Sequence, residues 1–399
     1  MDELPFSVAD CWFEPWDKAR FKKWALKMRR TLLPREVDLG LVFISPGWAE
    51  FADEIVDVLK NSVGVPRLAG CSANGVIANQ WEFEQKGGIT VGLFHLPGSR
   101  IESLSFSPRQ FQEAASSGET DYWRRLIDPG AEGINGWLVF AEPLQIDVES
   151  WLESWDSSFP REPLYGGLAH FDREAMSAVV IADDFVLTEG GVAIGIGGGV
   201  GLAGLTAQGC TPIGNALTVT RAKGNILERL GNRPALSMLE NAFQGLDPQT
   251  RKRSKGNVFL GLAVDEYVED FQRGDFLVRN LLASSEPRGS LAVGALPRVG
   301  QTAQFQIRDR AGASEELELL VARSREELRG KRVFGACLSD CSGRGTRLFG
   351  QLHHDSKAVY PLVQPQGVVG FFGHGEFGPV GGKNFVHGYT ASVAVFTEH

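Results

Sequence analysis

The chain has 399 residues, 43% apolar and 22% charged, with a net charge of −9 at neutral pH. That length gives core enough for two domains rather than one. The acidic balance excludes nucleic acid as the main partner, because phosphate backbones are held by clustered Lys and Arg.

No window holds the ~20 consecutive apolar residues of a membrane span, and the first 36 residues lack the apolar run of a signal peptide, so a cytoplasmic protein without a transmembrane segment is expected. The five cysteines Cys11, Cys71, Cys210, Cys337 and Cys341 are scattered, which fits reduced thiols. With three residues between the last two and no second pair, a structural zinc site is not expected.

From Lys18 to Arg30, and on to Leu32, the residues Phe21, Trp24, Ala25, Met28 and Leu32 recur at helical spacing among lysines and arginines. This predicts a helical extension over residues 1–36 that packs on the first domain. Beyond it one pattern recurs three times. In the first copy Leu41–Ile44 is a strand, Trp48, Phe51, Ile55, Val58 and Leu59 mark a helix, Gly70–Gly75 is a glycine-cysteine turn, and a strand returns over 87–94. The second copy runs from Trp137–Phe140 through a helix around Val148–Trp155 to Tyr165–His170 and Gly190–Gly195. The third runs from Val333–Leu338 through Ser339–Gly345 to Val369–His374 and His387–Phe396.

A strand, helix, strand, strand unit of about fifty residues has a sheet face that a neighbour must cover. The fold expected is therefore α+β, two domains of mixed sheets packed with helices and built from imperfect repeats, with α/β as the alternative. Between the second and third copies, helices are expected at Asn225–Leu230 and Pro234–Ala242, a solvated basic loop at Arg251–Lys255, strands around Phe276–Asn280 and Ala303–Asp309, and a helix from Ser314 to Leu328. The domains are placed at 37–220 and 221–399. The stretch Phe371–Tyr389 holds six glycines and a proline and is read as one long loop that presents polar groups to a ligand.

Taken in order, Gly70-Cys71-Ser72 with Gly75, Gly209-Cys210-x-Pro212-Ile213-Gly214, Phe276-Leu277-Val278-Arg279-Asn280, Arg308-Asp309, Cys341-Ser342-Gly343-Arg344-Gly345, Gly375-Glu376-Phe377-Gly378-Pro379 and His387-Gly388-Tyr389-Thr390-Ala391 resemble the FIST family. The resemblance covers about Val37 to the C-terminus and implies tandem N-terminal and C-terminal FIST domains. It implies a sensory, signal-transducing role in which a small ligand, such as an amino acid, is bound and reported to a separate signalling protein. Some members of the class are haem-containing gas sensors.

Arg344, among small neighbours after an apolar strand, can hold a carboxylate with two parallel hydrogen bonds. Glu376 can receive an ammonium group, and Ser339, Cys341, Gly343, Gly345, His374, Asn384 and His387 complete the expected ligand site. An internal Arg344–Glu376 salt bridge is the structural alternative. Cys71, Ser72, Asn74 and Cys210 frame a second candidate pocket, with core packing as the alternative for the two cysteines. A non-catalytic protein without a resident metal is expected. The competing readings are a nucleophilic Cys341 with Asp340 and either His374 or His387, and haem or metal ligation by His374 and His387 or by His353 and His354.

Overall fold

The computed structural model describes residues 4–84, 86–127, 132–174, 176–268 and 270–399. It is an α+β protein that divides into two compact units, the first formed by Met1–Thr206 with Leu320–His399 and the second by Ala207–Leu319. That division differs from a cut at residue 220. The C-terminal eighty residues fold with the N-terminal half, and the second unit interrupts the third copy of the repeat.

In the first unit, copy one comprises β1 (Ser7–Trp12), α1 (Lys18–Leu32), β2 (Leu39–Ile44), α2 (Pro46–Ala49), α3 (Ala52–Asp57), β3 (Leu68–Ser72), β4 (Gly75–Ala78), β5 (Trp81–Phe83) and β6 (Ile89–Phe94). Copy two comprises β7 (Ser99–Phe106), α4 (Pro108–Ser117), α5 (Tyr122–Ile127), β8 (Ile134–Ala141), α6 (Val148–Ser158), β9 (Leu164–Leu168), β10 (Val180–Ala182), β11 (Phe185–Leu187) and β12 (Gly191–Gly198). Copy three opens with β13 (Val200–Ala207).

The second unit then holds β14 (Thr211–Lys223), β15 (Ile226–Leu230), β16 (Arg233–Pro234), α7 (Ala235–Gln244), α8 (Pro248–Arg253), β17 (Val258–Ala263), β18 (Phe276–Ser285), β19 (Ser290–Val293) and β20 (Thr302–Ile307). Copy three resumes with α9 (Arg310–Glu327), β21 (Val333–Cys341), α10 (Gly345–Phe349), α11 (His354–Val359), β22 (Val368–Gly373), β23 (Gly375–Val380), β24 (Lys383–His387) and β25 (Ala391–Glu398).

Each copy is therefore longer than the sequence pattern suggested, because an edge strand and a helix precede it. Residues 7–32 are accordingly not an appended extension. β1 pairs with β6 along its whole length, and α1 buries Phe21, Ala25, Met28 and Leu32.

The three six-stranded sheets run β1-β6-β2-β3-β10-β11, β7-β12-β8-β9-β23-β24 and β13-β25-β21-β22-β4-β5. In the three sheets β2 and β3, β8 and β9, and β21 and β22 are the parallel pairs, and the last two strands are a hairpin lent by another copy. Copy one lends β4–β5 to the third sheet, copy two lends β10–β11 to the first, and copy three lends β23–β24 to the second. The exchange closes a ring. The residue entering each lent hairpin donates its N–H to the sheet that receives it: Asn74 to Phe372 O, His170 to Ser72 O and His374 to Leu168 O.

Side chains alternate across each sheet with the period of two that a strand imposes. Leu41 and Phe43 point into a shared central core, while Val42 and Ile44 meet the helices outside. Because both faces are covered, the strands read as unbroken apolar runs. At the centre Phe43, Phe140 and Phe371 form a triangle of ring contacts of 4.4–5.8 Å between centroids. Copies one and two place this phenylalanine on the first strand. In copy three Ser339 stands there and Phe371 opposite it fills the space.

Gly70, Gly166 and Gly370 occupy equivalent places on the three parallel pairs, and a Cβ on any of them would strike the carbonyl oxygen of Val42, Val139 or Leu338. This close approach is what the recurring glycine-rich strands encode. Around copy two, α6 sets Val148, Trp151, Leu152 and Trp155 at i, i+3, i+4 and i+7, and the two tryptophans are buried beside Trp137 and Trp123.

In the second unit β14 pairs with β20 along its first half and with β15 along its second, so six of the seven strands close on themselves and β16 is added beside β15. Three expectations are corrected. Ile226–Leu230, expected as part of a helix from Asn225, form β15, because Gly224 at φ +56° turns the chain into a hairpin with β14. The basic run ends α8, where cationic side chains meet exposed carbonyls. Phe371–Tyr389 is the end of β22 followed by the hairpin β23–β24, and only Gly381 and Gly382, at φ +57° and +77°, serve as a turn. Gly373, Gly375 and Gly378 admit close neighbours, a Cβ on Gly378 colliding with the Thr206 side chain, whereas Gly388 has open space around it.

Candidate functional site

β21 and β22 are parallel, and the ends of such strands are where ligand crevices form in α/β sheets. Where β2 and β8 finish on Ile44 and Ala141, the equivalent residue of β21 is Asp340, fully buried. The chain then turns through Ser342 and Gly343 to Arg344, also fully buried, and enters α10.

Arg344 donates from Nε to Asp355 Oδ2 at 2.7 Å and from Nη2 to Asp355 Oδ1 at 3.0 Å, a bidentate pair. Its Nε also lies 3.3 Å from Asp340 Oδ1, and Nη1 reaches Tyr389 O at 3.4 Å. Burial works against the charge of Asp355, but Arg344 and His354 outweigh it and hold this carboxyl below the ordinary range. Burial, then the charge of Asp355, pushes the Asp340 carboxyl well above that range. The two carboxyls of the pair are thus shifted in opposite directions.

A third carboxyl arrives with the hairpin lent by copy one. Glu82, 1% exposed, accepts from Ser356 N at 2.7 Å through Oε1, and its Oε2 is buried with no hydrogen-bond partner among the described residues. Burial, followed by the negative charge of Asp355, raises Glu82 to about 7. Its own N–H donates to His353 Nδ1 at 2.8 Å. On the same strand end, Glu84 accepts from Thr346 N at 2.8 Å and from its hydroxyl at 3.0 Å. Gly345 stands at φ +56° directly against Glu84, where a side chain would clash with the carboxylate.

Over this network lies a cavity of about 290 Å³ lined by Glu82, Phe83, Glu84, Lys86, Thr346, Leu352 and His353. The Lys86 ammonium sits 4.1 Å from the centre of the Phe13 ring.

Several residues expected at one site converge here. Cys341 N donates to Thr390 O, Glu376 Oε2 accepts from Thr390 N at 3.1 Å, and Arg344 binds the adjoining Tyr389 carbonyl, so all three are buried around one turn. Gly343 faces the Tyr389 ring. Ser339 is buried in the central core, and His387 stands opposite Glu376 across the β23–β24 ladder with Nε2 3.0 Å from Gly378 O. Asn384 lies apart from this turn and fixes the start of β9, with Oδ1 accepting from Leu164 N at 2.8 Å and Nδ2 donating to Asp156 and Glu162 O. His374 is exposed; its Nδ1 accepts from Phe171 N at 3.1 Å and its ring lies 4.7 Å from that of His170.

Among the second set, Cys71 is in the central core of the first unit, Ser72 Oγ donates to His170 O and accepts from Val179 N, and Asn74 is exposed. Cys210 belongs to the second unit, where Arg308 Nη2 donates to its sulfur at 3.7 Å. Arg308 also covers the Phe259 ring at 4.4 Å, and Gln208 clamps Phe276 and Val278 on β18. The motifs of this unit thus hold one another.

For Cys341, burial and then the nearby Glu376 push the thiol far up. A thiol held protonated is the reverse of what nucleophilic catalysis requires. Among the described residues no group of three or more His, Cys, Asp or Glu has metal-holding geometry, and no helix is long and apolar enough to cross a membrane.

The FIST N domain matches residues 38–233 and the FIST C domain residues 235–379. The chain is 31% identical over 360 residues to the uncharacterized protein Mb0898c of Mycobacterium bovis, covering 90% of each chain. It is 33% identical over 355 residues to the uncharacterized protein MT0656 of Mycobacterium tuberculosis, covering 88% of this chain and 90% of the relative.

Proposed function

The chain belongs to the FIST family of sensory, signal-transducing modules, and from that premise we propose that it binds a small ligand, an amino acid or small carboxylate, and reports to a separate signalling protein. The ligand lies in the hollow between the hairpin of copy one and the α10–α11 segment of copy three, not on Arg344 itself. The observation that carries this reading is the cavity of about 290 Å³ over the buried Arg344–Asp355 pair, with Glu84, Lys86, Thr346 and His353 in its wall. A volume near 300 Å³ suits a ligand of a few heavy atoms, and a few convergent polar groups beside Phe83 and Leu352 supply orientation.

Arg344, fully buried against two carboxyls, is not in the wall. Glu84 is the moving part: when its carboxylate turns to a ligand it leaves Thr346, and the first turn of α10 loses both hydrogen bonds. Calorimetry with a panel of amino acids and small carboxylates tests the reading. Binding should weaken at least tenfold in Glu84→Gln and in Lys86→Ala. A panel that gives no heat with the parent protein, and no ligand retained in native mass spectrometry, ends it.

A further inference from the structure

Resting on that choice of hollow, we infer that the ligand must carry a primary ammonium group, which docks on Glu82 Oε2 and displaces a proton from that carboxyl. The hollow is short of positive charge on one side only. Glu82 lines it with one oxygen spent on Ser356 N and the other buried without a partner among the described residues. A buried polar atom left in this state costs free energy that a donor in the hollow recovers.

The groups facing Glu82 are mainly acids: Glu84 from its own hairpin, Asp355 from the start of α11 and Asp340 from the end of β21. The Arg344 guanidinium is committed to Asp355 in bidentate fashion. The Lys86 ammonium stands over the Phe13 ring, and His353 spends Nδ1 on the Glu82 N–H. An ammonium with three donors meets the free oxygen of Glu82 and the neighbouring Glu84, while Lys86 and Thr346 remain for an acceptor on the ligand.

A cation placed there stabilises the ionised carboxylate. Glu82, its carboxyl raised to about 7 and so partly protonated at neutral pH, then releases its proton to the buffer while the ligand keeps its own.

Three matched probes decide the matter on the full chain: ethylammonium, L-alanine and propionate, each titrated calorimetrically at pH 7 in phosphate and in MOPS. Ethylammonium and alanine should bind and propionate should not. The apparent enthalpy of the binders should differ between buffers by an amount that reports a fraction of a proton released per ligand. Glu82→Gln should weaken both binders at least tenfold and abolish the buffer dependence, whereas Glu84→Gln should retain the proton release.

Propionate binding without either amine would overturn the ammonium requirement while leaving the hollow a ligand site. Amine binding with identical enthalpies in both buffers would remove Glu82 from the contact. Silence from all three probes, together with silence from the wider panel, would take the hollow itself away.

Discussion

Replacing Glu82 with Gln should stabilise the protein, and the gain should grow with pH. The native carboxyl titrates at about 7 against an ordinary value of 4.5, burial being the main cause and Asp355 the second. Between those two values the folded chain keeps a proton that the unfolded chain gives up, so native stability falls as pH rises through this window. A displacement of that size corresponds to about 3 kcal/mol once the pH exceeds 7. Near pH 5 the unfolded carboxyl is only partly ionised, and the same relation leaves under ~1 kcal/mol.

Glutamine keeps the shape of the protonated acid and never ionises, so Glu82→Gln should match the parent to within ~1 kcal/mol at pH 5 and exceed it by ~2–3 kcal/mol at pH 8. Urea unfolding followed by tryptophan emission is the assay. All nine tryptophans lie between residues 12 and 155, so the signal reports the first unit alone. A difference that stays flat from pH 5 to pH 8, or a parent protein more stable than the variant at pH 8, would show that Glu82 is ionised and satisfied in the fold, and the reasoning about its free oxygen would fail with it.

Arg344→Met leaves Asp355 buried without its bidentate partner and should cost ~3–5 kcal/mol in the same assay; a loss under ~1 kcal/mol would mean the pair is solvated. Gly166→Ala drives a Cβ into Val139 O and should cost at least ~3 kcal/mol or prevent folding, whereas Gly382→Ala, open at its Cβ though left-handed in φ at +77°, should cost ~1 kcal/mol. Native protein at pH 8 should react with a thiol reagent slowly or not at all, because burial raises Cys11 and Cys337 to about 12 and raises Cys71 and Cys341 too; all five should react in denaturant, and rapid native labelling of Cys341 would revive a catalytic role. Hemin titration should yield no protein-bound Soret band, since His387 Nε2 and His374 Nδ1 are each spent on a backbone group; a band lost in His374→Ala would establish haem binding.

The repeats were legible because they rest on local rules. Leu41–Ile44, Trp137–Phe140 and Val333–Leu338 are apolar runs that end at breakers, and the helical faces of α1 and α9 follow from spacing alone. Edge strands such as β7 were hidden because they are half exposed and lack a clean apolar pattern. The hairpin β23–β24 looked like a loop because glycine can mark a tight approach as readily as a turn, and the sequence does not say which. Arg344, Cys341 and Glu376 could be recognised as a group from their motifs, but their partners could not. Asp355 was visible only as the neighbour of a histidine pair, and Glu82 sits in copy one, brought to the site by a sheet pairing between residues 75–78 and 369–372 that no local signal announces.

The ring of lent hairpins has a consequence for how the protein is made. β4 lies about 300 residues before β22, and at the ~5–20 residues per second of translation its partner emerges some 15–60 s later. Throughout that interval the hairpin β4–β5 of the nascent first copy exposes strand edges that another chain could pair with; the first sheet has all its strands once Leu187 is made, but the ring closes only with β22 and β23. A ribosome stalled inside the second unit would hold a chain that has Glu82, Phe83 and Glu84 but still lacks Thr346, Leu352 and His353, the opposite wall of the hollow.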